Sequence, residues 1–149
     1  MAAILLPLAQ GFEEVEAVSL IDVLRRGGLA VRIATVDPHK DDNLVLGANG
    51  ITIQADTNIK NVVADDFDMI LLPGGWENTY TLAENETVQN LLKEFKFKDK
   101  VVGSICAAAY ALKKADVLAM TTPVTLQQPM KLTMKVIVMT KLWLLMEIL

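Results

Sequence analysis

The hydrophobic positions of this chain form short unbroken runs, separated by polar and glycine-containing stretches. These runs lack the polar alternation of half-exposed strands, which predicts strands that are buried on both faces. The runs are residues 2–7, 29–36, 67–72 and 101–105. A further stretch, residues 44–54, is arranged around Gly47 and Gly50 and predicts a hairpin-like excursion.

Helical patterns lie between these runs. Residues 13–26 begin with glutamates, carry apolar side chains at helical spacing and end in two arginines before Gly27-Gly28. Acids at the start and bases at the end are typical of a helix. Residues 77–96 predict one or two helices with a break near Asn85, and the alanine-rich segment 106–114 also favours a helix.

The alternation of strands and helices predicts an α/β fold with a mostly parallel sheet, covered by helices on both faces. Ligands of such folds bind at the carboxyl ends of the strands. The candidates for chemistry are therefore the residues that directly follow strands. They are residues 10–16, residues 73–76, and Cys106 with the residues after it.

Composition narrows the classes of protein that fit this pattern. The 149 residues suit one domain, and an apolar content of 52% excludes a disordered chain. A net charge of −4 argues against a nucleic-acid partner. No run reaches the roughly 18 uncharged apolar residues of a membrane span, and the N-terminus lacks the basic start of a secretory signal. We expect a cytoplasmic protein with no membrane partner.

The chain contains one cysteine and one histidine, Cys106 and His39. A single cysteine excludes an internal disulfide, and the pair is too few for a cysteine- or histidine-based metal site. One histidine also argues against a Ser-His-Asp triad. We therefore expect neither a metal nor a cofactor.

Cys106 follows a predicted strand and opens a run of alanines, so its sulfur is expected at a tight strand-to-helix turn. The unpaired N–H groups and positive potential of a helix start favour the thiolate, which is the nucleophilic form. The alternative is a buried structural cysteine that acts as a small hydrophobe. Position alone leaves both interpretations open.

Acidic residues crowd the start of the first predicted helix. Glu13 and Glu14 are interpreted as ordinary helix-start acids on a solvated face. Glu16 lies closer to the sheet edge, where a buried carboxyl beside a thiolate could hold a proton, donate it and take it back. The turn Pro73-Gly74-Gly75 could aim backbone N–H groups at an oxyanion, although a diglycine is also common in plain turns.

Four segments carry a resemblance to a known family. They read LLPLAQGFEEVEA (residues 5–17), IDVLRRGG (21–28), LLPGG (71–75) and GSICAAAYAL (103–112). In this order and spacing, the chain from about residue 2 to 118 resembles the DJ-one/ThiJ/PfpI superfamily, close to its Parkinson-disease-deglycase-like branch. The resemblance implies a flavodoxin-like three-layer sandwich and a homodimer.

The same resemblance implies roles for particular residues. Cys106 would be a reactive cysteine on a nucleophile elbow, and Glu16 the acid that is hydrogen-bonded to its sulfur. Gly75 and Ala107 would supply backbone donors to the substrate oxygen, with Gly74 shaping the turn. Two positions depart from many relatives: His39 does not match their histidine near the cysteine, and Asn49 stands where some carry an arginine.

Activities attributed to the family include glutathione-independent glyoxalase action on 2-oxoaldehydes and deglycation of glycated groups. If this chain is an enzyme, it would be a lyase or a hydrolase of that kind, with a small aldehyde or glycated substrate. The alternatives are a non-enzymatic redox sensor or chaperone, a protein named for thiazole monophosphate biosynthesis, and an inactive fragment.

Residues 119–149 change in composition: they hold five of the seven methionines, no glycine and a single acid. We therefore divide the chain into an incomplete family domain, residues 1–118, and a divergent tail, residues 119–149. The hypothesis is a frameshift that truncates the chain, so that later strands and a closing helix of the family are missing. The apolar segments 136–138 and 142–145 would then cover the exposed sheet edge or drive association. The alternative is a natural divergent C-terminus that forms an amphipathic helix.

The genetic code permits a partial test of that hypothesis. With suitable synonymous codons, residues 121–149 read from the third base give an open frame that ends in VVVDGNI, similar to a strand–turn–strand of the family. The Asp and Gly that follow from the codons at Met139 and Met146 are forced, because each of these codons ends in G. If sequencing of the gene shows no single-base insertion or deletion near codon 119 that restores a longer family frame, the frameshift hypothesis is wrong.

Overall fold

The fold was obtained as a computed structural model, which describes residues 1–37, residues 42–118 and the strand at 136–139. The strands are β1 (Ala3–Leu8), β2 (Ala30–Thr35), β3 (Leu44–Leu46), β4 (Thr52–Gln54), β5 (Thr57–Asn58), β6 (Met69–Leu72), β7 (Val101–Ile105) and β8 (Val136–Met139). The helices are α1 (Glu14–Arg26), α2 (Trp76–Glu84), α3 (Glu86–Phe97) and α4 (Ala109–Lys114). Short 3-10 turns occupy Ile59–Asn61, Ala64–Asp66 and Cys106–Ala108.

Six of the described strands form one sheet in the order β5-β2-β1-β6-β7-β8, and every neighbouring pair is parallel. Without the two-residue strand β5, this is the flavodoxin-like strand order. In this order β2 is added on one side of β1, and β6, β7 and β8 follow on the other side, so the order switches between β1 and β6. The predicted α/β fold is therefore confirmed. The strand β5 was not predicted, because Thr57–Asn58 is too short to show a pattern.

The helices cover both faces of the sheet, as expected for buried parallel strands. On one face α1 packs its apolar side chains, such as Leu20, against Leu6 and Ile33. On the other face α2, α3 and α4 pack against residues such as Leu5 and Ile70. Alternate residues of the same strand point to opposite layers, so the strands are apolar throughout rather than alternating.

The predicted break in the second helical segment is confirmed at Asn85. Helix α2 ends at Glu84, and the Asn85 side chain caps α3 by accepting a hydrogen bond of 3.0 Å from the Val88 N–H. An asparagine at this position satisfies one of the free N–H groups of the helix start. The predicted hairpin is also confirmed, with β3 and β4 antiparallel and Val45 opposite Ile53.

The described part of the C-terminal tail is strand β8, which lies parallel to β7 with Val136 opposite Val102 and Met139 opposite Ile105. The expectation that segment 136–138 covers the sheet edge is met for this strand. The other tail residues, 119–135 and 140–149, lie outside the described residues. The prediction that later strands and a closing helix are missing concerns that part of the chain and stays a prediction. In the described ranges, no helix is long and apolar enough to cross a bilayer.

Candidate active site

Three turns meet at the carboxyl edge of the sheet, where the sequence predicts chemistry. They follow β1, β6 and β7 and contain the Gly11–Glu13 segment, the diglycine turn and Cys106. The first two turns are joined directly, because the Glu13 N–H donates a 3.1 Å hydrogen bond to the Gly74 carbonyl. Adjacent parallel strands therefore deliver Glu16, Gly74 and Cys106 to one place.

Cys106 has a left-handed backbone conformation, with φ of 55°. This conformation is uncommon for a residue that carries a Cβ and is found where surrounding structure enforces it, often at functional sites. Cys106 begins the 3-10 turn that leads into α4, so strand and helix meet at a sharp bend. The residue is exposed to solvent, which excludes the alternative of a buried structural cysteine.

Glu16 lies in the first turn of α1 and reaches the gap between the diglycine turn and Cys106. Its Oε2 accepts a 2.7 Å hydrogen bond from the Gly74 N–H, and its carboxyl is hydrogen-bonded to the Cys106 thiol. The side chain is half-buried rather than turned to solvent. The predicted pairing of the acid with the sulfur is therefore present in the structure.

The ionisation of Cys106 differs from the expectation of a thiol that readily loses its proton. Desolvation and then the hydrogen bond and negative charge of Glu16 raise the pKa of the Cys106 thiol, and the backbone hydrogen bond to Ala107 opposes them only in part. The helix-start effect expected from sequence is thus outweighed by desolvation together with a neighbouring carboxylate. Of these two causes, the contact with Glu16 is the one that a single substitution can remove.

This contact leads to a pH prediction. In Glu16→Gln the charge that raises the pKa of Cys106 is absent, so the midpoint of thiol alkylation by iodoacetamide should move to lower pH. Rates measured from neutral to alkaline pH, compared with Glu13→Gln as a control of more distant charge, check this. An unchanged or higher midpoint in Glu16→Gln would show that the carboxyl does not hold the thiol proton.

The two glycines of the turn after β6 are required by close packing. A Cβ on Gly74 would collide with the Glu16 carboxylate and lie 3.1 Å from the Cys106 Cβ. Gly75 has φ of 95°, and a Cβ there would overlap the Gly11 carbonyl and lie 2.7 Å from the Glu13 nitrogen. Only residues without side chains let the three turns approach this closely.

The residues predicted to shape the turn and to donate backbone hydrogen bonds differ in what their N–H groups contact. The Gly74 N–H is engaged by Glu16, so it holds the acid rather than a substrate oxygen. Gly75 precedes α2, and Ala107 follows the cysteine and forms a backbone hydrogen bond to its sulfur. Both border the same pocket, and their role as donors to an oxyanion stays a prediction.

The pocket above Cys106 has a volume of about 480 Å³ and opens to solvent. Three of its described lining residues carry a carboxylate, and the others include glycines, alanines and one tryptophan. It is formed by Gly11, Glu13, Glu16, Ala48, Gly75, Trp76, Glu77, Cys106 and Ala107. This volume suits a small molecule, and the sulfur and the carboxyl both face it.

Asn78 is a structural residue of the site that the sequence analysis missed. It is fully buried; its Oδ1 accepts a hydrogen bond from the Ala9 N–H, and its amide donates to the carbonyls of Pro73 and Gly74. It therefore ties the turn after β1 to the turn after β6. An asparagine inside a helix pattern, where it is unfavourable, was the available signal.

Glu14 corrects the interpretation of a solvated helix-start acid. It is 4% exposed, and its carboxylate accepts hydrogen bonds from the Asn49 N–H (2.5 Å), the Asn49 side-chain amide (2.9 Å) and the Ile51 N–H (3.4 Å). Desolvation opposes ionisation, but these hydrogen bonds lower the pKa of Glu14. Asn49, one of the two departures from the family pattern, thus serves to anchor the hairpin loop to α1.

The expected absence of a metal site can be compared with the described residues, whereas the departure from the family at His39 cannot. No group of three His, Cys, Asp or Glu side chains within residues 1–37 and 42–118 is arranged to hold a metal ion. The other departure from the family, His39, lies outside the described residues.

Comparison with known proteins gives a consistent assignment. The model of the DJ-1/PfpI family matches residues 2–140. Protein DJ-1 homolog A of Arabidopsis thaliana is 36% identical over 105 residues, which are 70% of this chain and 26% of that protein. The glutathione-independent glyoxalase DJR-1.2 of Caenorhabditis elegans is 36% identical over 120 residues, 79% of this chain and 60% of that protein.

A solved structure shows the same fold. The crystal structure of Drosophila melanogaster DJ-1beta superposes with a TM-score of 0.72 and 32% identity, covering 77% of this chain and 60% of that one. The chain thus spans between about a quarter and three-fifths of the length of these relatives. The family match continues to residue 140, beyond residue 118, where the resemblance seen in the sequence ends.

Proposed function

Because the chain belongs to the DJ-1/PfpI family, we propose that it is a cysteine-dependent enzyme of the glyoxalase or deglycase type, acting on 2-oxoaldehydes or glycated groups. The observation that carries the proposal is the placement of the Glu16 carboxyl beside the Cys106 thiol, with both residues lining one open pocket. A nucleophile next to an acid–base group, with room for a small carbonyl compound, is the arrangement that covalent aldehyde chemistry requires.

The first step uses the thiol and the carboxylate together. Glu16 takes the proton of Cys106 as the sulfur attacks the aldehyde carbon, and the new C–S bond pushes the carbonyl electrons onto oxygen. The proton then passes from Glu16 to that oxygen, which gives a hemithioacetal. A thiol with a raised pKa is a poor spontaneous nucleophile, so the neighbouring base is what makes the attack possible.

The second step rearranges the bound substrate without an external oxidant. Glu16 removes the proton from the former aldehyde carbon and returns it to the adjacent keto carbon, while the hemithioacetal hydroxyl proton passes to the keto oxygen, so one carbon is oxidised and its neighbour reduced. The product is a thioester, which water hydrolyses to a 2-hydroxy acid and the free thiol. Donors at Gly75 and Ala107 would stabilise the oxyanions of both stages.

The direct test is the conversion of methylglyoxal to lactate in the absence of glutathione, followed enzymatically or by NMR. The proposal predicts turnover whose rate depends on enzyme concentration. A second arm with a glycated amino acid and release of the free amino group distinguishes deglycation from aldehyde isomerisation. Absence of both activities in a folded protein would contradict the proposal.

A second candidate function is a redox sensor, and the exposure of Cys106 favours it. Hydrogen peroxide would oxidise the thiol to a sulfenic and then, with a second equivalent, to a sulfinic acid, with water leaving each time. The neighbouring Glu16 carboxyl could hydrogen-bond the sulfinate oxygens. Sulfinate formation under mild peroxide in a protein that turns over no aldehyde would support this function over the enzyme.

We also propose that the chain forms a homodimer through the exposed apolar face of α1. Val15 and Val18 are one helical turn apart and 66% and 46% exposed, and Ile51, at the end of the hairpin loop that Glu14 anchors to α1, is 56% exposed. Apolar side chains grouped on one face are typical of an interface. Sedimentation should show a dimer that Val15→Lys converts to a monomer, whereas Val63→Lys, also at an exposed valine, should leave it intact. A wild-type monomer would contradict this.

The division into residues 1–118 and 119–149 and the cytoplasmic location stay predictions. The first rests on the composition change in the tail, and the second on the single free cysteine.

A further inference from the structure

The pocket above Cys106 has one wall that the proposed chemistry does not use. Trp76 follows the diglycine turn at the start of α2, is 72% exposed and lines the pocket together with the cysteine. A large indole in contact with water gains from being covered by another planar apolar group. An exposed tryptophan at the mouth of a reactive site therefore provides a surface for a substrate.

Neighbouring rings hold this indole in place. Trp76 is stacked on Tyr80, one turn later in α2, with ring centres 6.2 Å apart and planes 25° apart. Tyr80 in turn packs edge to face with Tyr110 on α4, with the two ring centres 5.7 Å apart. Because α4 follows the 3-10 turn that begins at Cys106, the row of rings connects the indole to the helix next to the nucleophile. The wall is thus oriented before any ligand binds.

The charges around the pocket are of one sign. Three carboxylates, those of Glu13, Glu16 and Glu77, line it, and none of its described lining residues is cationic. The Glu77 side chain lies over Gly11, since a Cβ on that glycine would lie 2.8 Å from the Glu77 Oε2. An anionic ligand would therefore meet repulsion from these carboxylates, with no cation among the described lining residues to compensate.

From these two features we propose that the pocket is selective for uncharged aryl carbonyl compounds, with Trp76 as the apolar wall and Glu13 and Glu77 as a barrier to carboxylates. The proposal rests on the proposed function for its reactive group, but it concerns binding and specificity. It predicts that a phenyl-substituted 2-oxoaldehyde is preferred over methylglyoxal, and that an aldehyde or ketone with a nearby carboxylate is rejected.

Binding can be tested without turnover by using two unreactive ketones of similar shape. The neutral probe is 2-hydroxyacetophenone and the anionic probe is benzoylformate, both measured in Cys106→Ser by ligand-observed NMR titration. We expect the neutral ketone to bind about tenfold or more tightly than the anion at low ionic strength. Trp76→Ala should weaken the neutral ketone about five- to tenfold. Glu13→Gln with Glu77→Gln should reduce the discrimination against benzoylformate.

The control is Phe97→Ala, which removes an aromatic side chain that is 90% exposed at the end of α3, away from the pocket. It should leave both affinities within twofold. Equal affinity for the two ketones, or unchanged binding in Trp76→Ala, would overturn the proposal.

Turnover supplies the second readout, because Trp76→Ala should lower kcat/KM for phenylglyoxal several-fold more than for methylglyoxal. If the protein has no glyoxalase activity but shows the predicted binding pattern, the proposed function fails and this inference stands. If methylglyoxal is turned over but the two ketones bind equally well, the proposed function stands and this inference fails.

Discussion

Replacing Cys106 with serine is expected to lower kcat/KM for methylglyoxal by about a thousandfold or more, since the nucleophile of a covalent mechanism has no substitute nearby. Cys106 is the only cysteine, so no second thiol can take over. The stability should change little, because the side chain is exposed. Lactate production and thermal melting of the two proteins check both expectations.

The matched control for this substitution is Ser19→Ala, a small change on α1 that is not among the residues lining the pocket. It should retain full activity. Glu16→Gln should resemble Cys106→Ser in the loss of turnover while keeping an alkylatable thiol, because it removes the base but not the nucleophile. Full turnover in either Cys106→Ser or Glu16→Gln would show that the reaction does not pass through this pair.

Replacing Gly75 with alanine is expected to destabilise the protein by at least about 3 kcal/mol and to abolish activity, because steric overlap adds to backbone strain. The new methyl group would overlap the Gly11 carbonyl and crowd the Glu13 nitrogen. The three turns would have to separate, which moves Glu16 away from Cys106. Urea unfolding and the lactate assay measure the two effects.

Gly28→Ala separates strain from overlap. Gly28 has a positive φ of 80°, like the 95° of Gly75, but no atom lies within 4 Å of the position that an added Cβ would take. Its replacement should therefore cost only about 1 kcal/mol, the penalty of the left-handed conformation, and leave activity unchanged. Equal stability losses in Gly28→Ala and Gly75→Ala would contradict the close approach of the three turns.

The elements of the fold were predictable where the pattern was long and one-sided. The apolar runs that became β1, β2, β6 and β7 and the amphipathic pattern of α1 needed no tertiary information. Strand β5 could not be predicted, since two residues carry no periodicity and its pairing with β2 is set by the fold. Short elements depend on neighbours that the sequence does not display.

The residues that meet at the candidate site were predictable, but the electrostatics of the site were not. Positions directly after strands, together with the motifs, indicated Cys106, Glu16 and the diglycine turn as candidates. The sign of the thiol's pKa shift depends on how close Glu16 comes to the sulfur, which only the three-dimensional structure shows. The same is true of Glu14, whose partners Asn49 and Ile51 lie more than thirty residues away along the chain.

The proposed mechanism requires that Cys106 form a covalent bond to the substrate with the help of Glu16. Rapid-quench peptide mapping by mass spectrometry during methylglyoxal turnover tests this bond most directly. We predict a transient mass increase of one methylglyoxal on the peptide that contains Cys106, which decays as lactate appears and is absent in Cys106→Ser. Lactate formed at the normal rate with no modification of that peptide at any time would contradict the account.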